Sequence, residues 1–85
     1  MKDLIEYIAR QLVDAPDEVH VEEIPEGREM VYELRVAPAD LGKVIGRQGR
    51  TVRALRTLVA AAAARHQTRA VLEILDSDDV DGEAP

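Results

Sequence analysis

The spacing of apolar residues changes repeatedly along the chain, and each change marks an element. Leu4, Ile5, Ile8 and Leu12 recur at helical spacing, with Lys2, Glu6 and Arg10 off that stripe, which predicts an amphipathic helix over 3–14. Asp3 followed by Glu6 fits a capping box at its start, and Pro16 stops it. Alternation then takes over: Val19, Val21 and Ile24 against His20, Glu22 and Glu23 predict a half-buried strand over 18–24. Pro25-Glu26-Gly27-Arg28 is a turn signal. Over 29–36, Met30, Tyr32, Leu34 and Val36 fall on one side and Glu29, Val31, Glu33 and Arg35 on the other, so the two strands should form an antiparallel hairpin.

Pro38-Ala39-Asp40-Leu41 opens a short helix that runs to about Ile45. Gly46 and Gly49 interrupt it. A longer helix follows over 50–65, with Val52, Leu55, Leu58, Val59, Ala62 and Ala63 as its apolar face and an alanine run at 60–64. Ala-Val-Leu-Glu-Ile-Leu at 70–75 reads as a last strand. Residues 76–85 are acidic and poor in core-forming side chains, the composition of a disordered tail. The order α-β-β-α-α-β predicts one α+β domain over 1–75, a three-stranded sheet with helices packed on one face. Tyr7 and Tyr32 are both expected to face the core.

Composition narrows the chemistry. A chain of 85 residues supports one small domain. With no cysteine, there is no disulfide framework, thiolate metal site or cysteine nucleophile. His20 and His66 lie far apart with no third ligand suggested, and no nucleophile sits beside a base, so neither a metal, a cofactor nor an enzymatic reaction is indicated. Glu6 and Arg10 break the apolar run that a signal peptide needs, and no stretch approaches a membrane span. A cytoplasmic location is the expectation.

The formal net charge of −6 argues at first against nucleic acid. Its distribution reverses that. Residues 1–40 carry four basic and eleven acidic side chains, and 73–85 carry six acidic and none basic. Residues 41–72 carry seven basic side chains (Lys43, Arg47, Arg50, Arg53, Arg56, Arg65, Arg69) and no acidic one. A phosphate responds to the field within about a Debye length, roughly 8 Å at physiological salt, rather than to the total. An anion-binding surface therefore belongs within 41–72.

Inside that segment, Gly46-Arg47-Gln48-Gly49 joins the short helix to the long one. Glycine lets backbone approach phosphate closely. The long helix starts at about Gly49 or Arg50, so its unpaired N–H groups and positive dipole end lie at the turn. Lys43, Arg47 and Arg50 place cations around the same point, and Arg53 extends them by one helical turn. Arg56 fits either a binding or a structural use. Arg65 and Arg69 lie at or beyond the far helix end, where cations complement the dipole. The stretch is not a Walker A loop, because Gly42 to Gly46 is too short and no Lys-Ser/Thr follows. A simple helix–helix turn needs one glycine cap rather than two glycines framing two polar residues.

Val44-Ile45-Gly46-Arg47-Gln48-Gly49-Arg50-Thr51-Val52 resembles the V-I-G-x-x-G-x-x-[IV] signature of the KH domain, whose G-x-x-G loop clamps the backbone of about four nucleotides. The element order is similar to the type II KH topology, and a chain that is a single KH domain resembles the small bacterial KhpA-type family. The resemblance implies a non-enzymatic protein that binds single-stranded RNA, as an RNA chaperone or post-transcriptional regulator. It also implies possible pairing with itself or with a larger KH-containing protein of the KhpB (Jag) type. It assigns Gly46 and Gly49 to the shape of the clamp, and Arg47 and Gln48 to the sugar-phosphate backbone. Val44, Ile45 and Val52 fall to the apolar groove floor, and Lys43, Arg50 and Arg53 to the flanks of the strand's path. The chain lacks the aromatic platform on which many single-strand binders stack bases, so affinity for one isolated domain should be modest.

Overall fold

The computed structural model describes residues 1–77. Helix α1 (Lys2–Leu12) precedes a two-stranded hairpin, β1 (His20–Glu26) and β2 (Glu29–Val36). Two further helices, α2 (Leu41–Ile45) and α3 (Arg50–Arg65), lead to β3 (Arg69–Asp76). Short 3-10 turns occupy Pro16–Glu18, Pro38–Asp40 and Arg47–Gly49. The sheet order is β1-β2-β3, with β1 antiparallel and β3 parallel to the central strand. This is the expected α+β architecture in the expected order.

The pleat sorts the side chains. Val21, Leu34 and Ile74 align across the three strands on the face that meets the helices. With Val19, Tyr32, Val36 and Leu72 they pack against Ile5 and Ala9 of α1, Val44 of α2, and Leu55 and Val59 of α3. Ile5, Leu34, Val19, Val36 and Val44 are the largest fully enclosed side chains. The alternating positions face away from the helices, where Glu22, Glu33 and Glu73 align in one row and Ile24, Val31 and Val71 in the next. Val31, expected on the polar side, is on that side and is still buried between its two apolar neighbours.

Several expectations shift. Helix α1 ends at Leu12 rather than Asp14, because Val13 turns extended (φ −100°, ψ 162°) and enters the core. The next two N–H groups leave the helical ladder for another acceptor. The buried Asp40 carboxylate receives Asp14 N–H at 3.2 Å and Ala15 N–H at 3.0 Å. Strand β1 runs through Pro25 to Glu26, which an edge strand tolerates because the missing donor faces no partner. The hairpin loop shrinks to Gly27 and Arg28, with Gly27 at φ +61°. Tyr7 is 63% exposed, not core-facing, and Leu58 is 52% exposed, off the buried stripe of Leu55, Val59 and Ala63. In each helix a narrower stripe than the apolar pattern reaches the sheet.

Helix α3 closes on a Schellman motif. Thr68 N–H donates to Ala63 O (3.1 Å) and Gln67 N–H to Ala64 O (3.0 Å), with Gln67 at φ +57°. Strand β3 then extends one residue further than expected, through Asp76, and Ser77 N–H donates to Val36 O at 2.8 Å. Asp76 and Ser77, assigned to the tail by composition, therefore belong to the sheet end; the rest of that tail lies outside the described residues.

Asp40 ties the end of α1 to the start of α2 across 25 residues of sequence. Asp40→Ala leaves two part-buried N–H groups without their acceptor and should cost about 1–3 kcal/mol. For a domain this size that lowers the melting temperature by roughly 4–8 °C per kcal/mol. Thermal denaturation followed by circular dichroism checks it.

Candidate nucleic-acid interface

The chain reverses between α2 and α3 within four residues. Helix α2 is anchored by Val44, which has no accessible surface. Gly46 N–H still closes the helix on Gly42 O at 2.8 Å. Gly46 itself then adopts φ +79°, ψ 170°, a region open essentially to glycine alone. A Cβ there would overlap Thr51 Oγ1 and lie 2.7 Å from Thr51 Cβ and 2.9 Å from Thr51 N. Gly49 N–H returns to Gly46 O at 3.1 Å, tightening the turn. Gln48 (φ 55°, ψ 27°) and Gly49 (φ 73°, ψ 16°) are both left-handed, and Arg50 starts α3. A left-handed non-glycine residue such as Gln48 costs about 1 kcal/mol or more and persists only where its surroundings hold it.

Those surroundings include the backbone bond from Arg50 N–H to the Arg47 carbonyl and the side chains of two arginines of α3. Arg53 Nη2 donates to the Gln48 carbonyl at 3.2 Å, and Arg50 Nη2 donates to Gln48 Oε1 at 3.3 Å. Both side chains reach back toward the helix N-terminus, the direction in which helical side chains lean. Among the described residues no side chain caps α3, although its first N–H, that of Arg50, already donates to the Arg47 carbonyl. The Arg47 side chain is exposed at the tip of the turn and makes no hydrogen bond or ion pair with the described residues.

The expected site residues are thus sorted by structure. Arg47, Gln48, Arg50 and Arg53 are exposed and cluster at the turn with Gly46 and Gly49. Ile45, 36% exposed, and Val52, half-buried, offer apolar surface beside it. Val44 is corrected: its side chain is wholly within the core and supports the turn from behind, so it offers no groove surface. Lys43 pairs with Asp14 at 3.4 Å, on the α1 side. Arg56 is committed to the fold, its Nε donating to Leu72 O of β3 at 3.3 Å. Arg69, largely exposed, pairs with Glu29 of β2 at 3.6 Å. Sequence reasoning passed over Asp40 and Thr51. Asp40 stands at the N-cap of α2 yet its carboxylate accepts from a distant loop, and Thr51 matters only through the space it fills; neither role has a local signal.

A G-x-x-G turn between two helices, set on a three-stranded sheet in the order α-β-β-α-α-β, defines a KH domain. Comparison with known proteins agrees. The family model described as KhpA/KhpB, KH domain matches residues 2–74. RNA-binding protein KhpA of Clostridium acetobutylicum is 52% identical over 75 residues, covering 88% of this chain and all of the relative. The proteins of the same name from Halalkalibacterium halodurans (53% over 76 residues; 89% of this chain, all of the relative) and Chlamydia caviae (46% over 76 residues; 89% and 97%) are similar. No solved structure gives a significant match. The chain belongs to the KhpA/KhpB KH-domain family, which is not a family of enzymes. Among the described residues no helix is long and apolar enough to cross a membrane, and no group of three or more His, Cys, Asp or Glu could hold a metal ion.

The two glycines should not tolerate change equally. Gly49 occupies the left-handed region, which asparagine accepts, and a Cβ there meets only Arg53 Nη2 at 3.8 Å and Val52 Cγ1 at 4.0 Å. Gly49→Asn should cost less than about 1 kcal/mol, whereas Gly46→Asn should cost about 2–4 kcal/mol from strain and overlap together. Urea denaturation of the two variants measures the difference.

Proposed function

We propose that this protein binds single-stranded RNA by clamping its sugar-phosphate backbone on the Gly46–Gly49 turn, with the strand passing the start of α3. The observation that carries the reading is the turn itself. Two left-handed residues and a glycine-only conformation set the start of α3, which no side chain caps among the described residues, beside the exposed Arg47. The similarity to relatives named RNA-binding proteins supports the ligand class. Arg50 adds charge beside the turn, while Ile45 and Val52 supply apolar surface for bases. The outer sheet face, with its row of Glu22, Glu33 and Glu73, repels phosphate and directs it to the opposite side. A clamp of this size binds weakly and with loose sequence selectivity, which suits an RNA chaperone or post-transcriptional regulator.

A second reading, compatible with the first, is pairing with another copy or with a larger KH-containing protein of the KhpB type. It is favoured by Leu58, which stands 52% exposed on α3 between exposed Ala54 and Ala61. Pairing would raise avidity for RNA without a new contact.

With Arg47 and Arg50 at the turn and Lys43 nearby, about two or three phosphates would be neutralised, so log affinity should fall with log salt at a slope of roughly −1.4 to −2. Arg47→Asp/Gln48→Asp should abolish binding to a short single-stranded RNA in a folded protein, read by fluorescence anisotropy alongside circular dichroism. Undiminished affinity in the folded double variant overturns the clamp.

A further inference from the structure

Arg53 lies on the exposed face of α3 within reach of the turn, where a guanidinium would ordinarily be counted as a phosphate ligand. Its bonding says otherwise. Its Nη2 is already on the Gln48 carbonyl, 3.2 Å away, at the residue where the chain leaves ordinary backbone geometry. Gln48 is also held through its side chain, by Arg50 at 3.3 Å. Gln48 has no glycine freedom, and these side-chain contacts add to the backbone bonds Gly49 N–H to Gly46 O and Arg50 N–H to Arg47 O in maintaining its left-handed conformation. The Arg47 side chain, by contrast, has no such engagement.

We propose that Arg53 is a positioning residue: it locks Gln48 in its left-handed conformation and so prepares the turn for RNA, without itself touching phosphate. The inference rests on the clamp reading and divides its cations by task. Arg47 meets the ligand, Arg53 fixes the backbone that presents Arg47, and Arg50 stands between them, braced on the Gln48 amide and open to solvent. A lock of this kind acts through population. When only a fraction of molecules holds the binding-competent turn, the apparent dissociation constant rises by the inverse of that fraction.

The two roles differ in their salt dependence. Each phosphate neutralised on a single strand contributes about 0.7 to the slope of log affinity against log salt. A residue that only shapes the turn contributes nothing to the slope while still changing affinity. Arg53→Met removes the guanidinium and keeps the aliphatic stem. Its affinity for a short single-stranded RNA should fall about two- to five-fold with the slope unchanged. The Gln48 Cα and Cβ chemical shifts of the free protein should move away from left-handed values. Arg47→Met, run in parallel, should lose about 0.7 of slope and leave the Gln48 shifts in place. Arg53→Lys, which keeps a donor able to reach the Gln48 carbonyl, should recover most of the affinity and the shifts.

A slope reduced by about 0.7 in Arg53→Met makes Arg53 a phosphate ligand and overturns the proposal. Unmoved Gln48 shifts, or unchanged affinity, overturn it as well. The Arg47→Asp/Gln48→Asp double variant tells the failures apart: if that variant still binds, the clamp reading is wrong, whereas if it does not, only the role of Arg53 is.

Discussion

The cationic face depends on a reversal between α2 and α3 that is open to the chain only because Gly46 carries no Cβ. At φ +79°, ψ 170° almost no other residue is stable, and the space a side chain would take is filled by Thr51. The turn is held from three sides. Val44 pins α2 into the core, Asp40 ties the start of α2 to the end of α1, and Leu55 and Val59 seat α3 on the sheet. Gln48, the one residue of the four in a conformation it disfavours, is thus held by a framework that has good preference for its own. Strain at a binding loop is tolerated on these terms, since the packed elements on either side offset it.

Charge then decides what the turn can meet. Carboxylates align on the outer face of the sheet, and arginines gather at the start of α3 on the other side. Like charges directly opposite on neighbouring strands destabilise a sheet. Here Arg35 relieves part of that cost by pairing with Glu33 at 3.5 Å. Because exposed charges act over about a Debye length, the acidic total of the chain and the basic character of the turn do not conflict. The arginines themselves are not equivalent. Arg56 bonds to Leu72 of β3, Arg69 pairs with Glu29 of β2, Arg53 donates to the Gln48 carbonyl, and the Arg47 side chain makes no hydrogen bond or ion pair with the described residues.

Much of this was readable in the sequence because it follows from periodicity. The alternation of Met30, Tyr32, Leu34 and Val36 determined which sheet face meets the helices, and the two glycines located the turn. What could not be read was tertiary. Leu4 and Leu58 fit a helical apolar stripe, yet α1 and α3 each present a narrower face to the sheet, and both side chains remain exposed, as does Tyr7. Val44 sits inside the motif, where pattern alone cannot separate a groove floor from the core beneath it. Asp40 reaches a partner 26 residues away, which no local rule anticipates. Arg50, Arg53 and Arg56 look alike along the helix, and only their hydrogen bonds assign them different tasks.

The central claim is that the Gly46–Gly49 turn and the start of α3 form the RNA-binding surface. A two-dimensional NMR titration of the isotope-labelled protein with a short single-stranded RNA tests it most directly. Amide shift changes should centre on Gly46 to Arg53, with the outer sheet row of Glu22, Glu33 and Glu73 unmoved. Changes concentrated on the sheet, with the turn silent at saturating RNA, would contradict it.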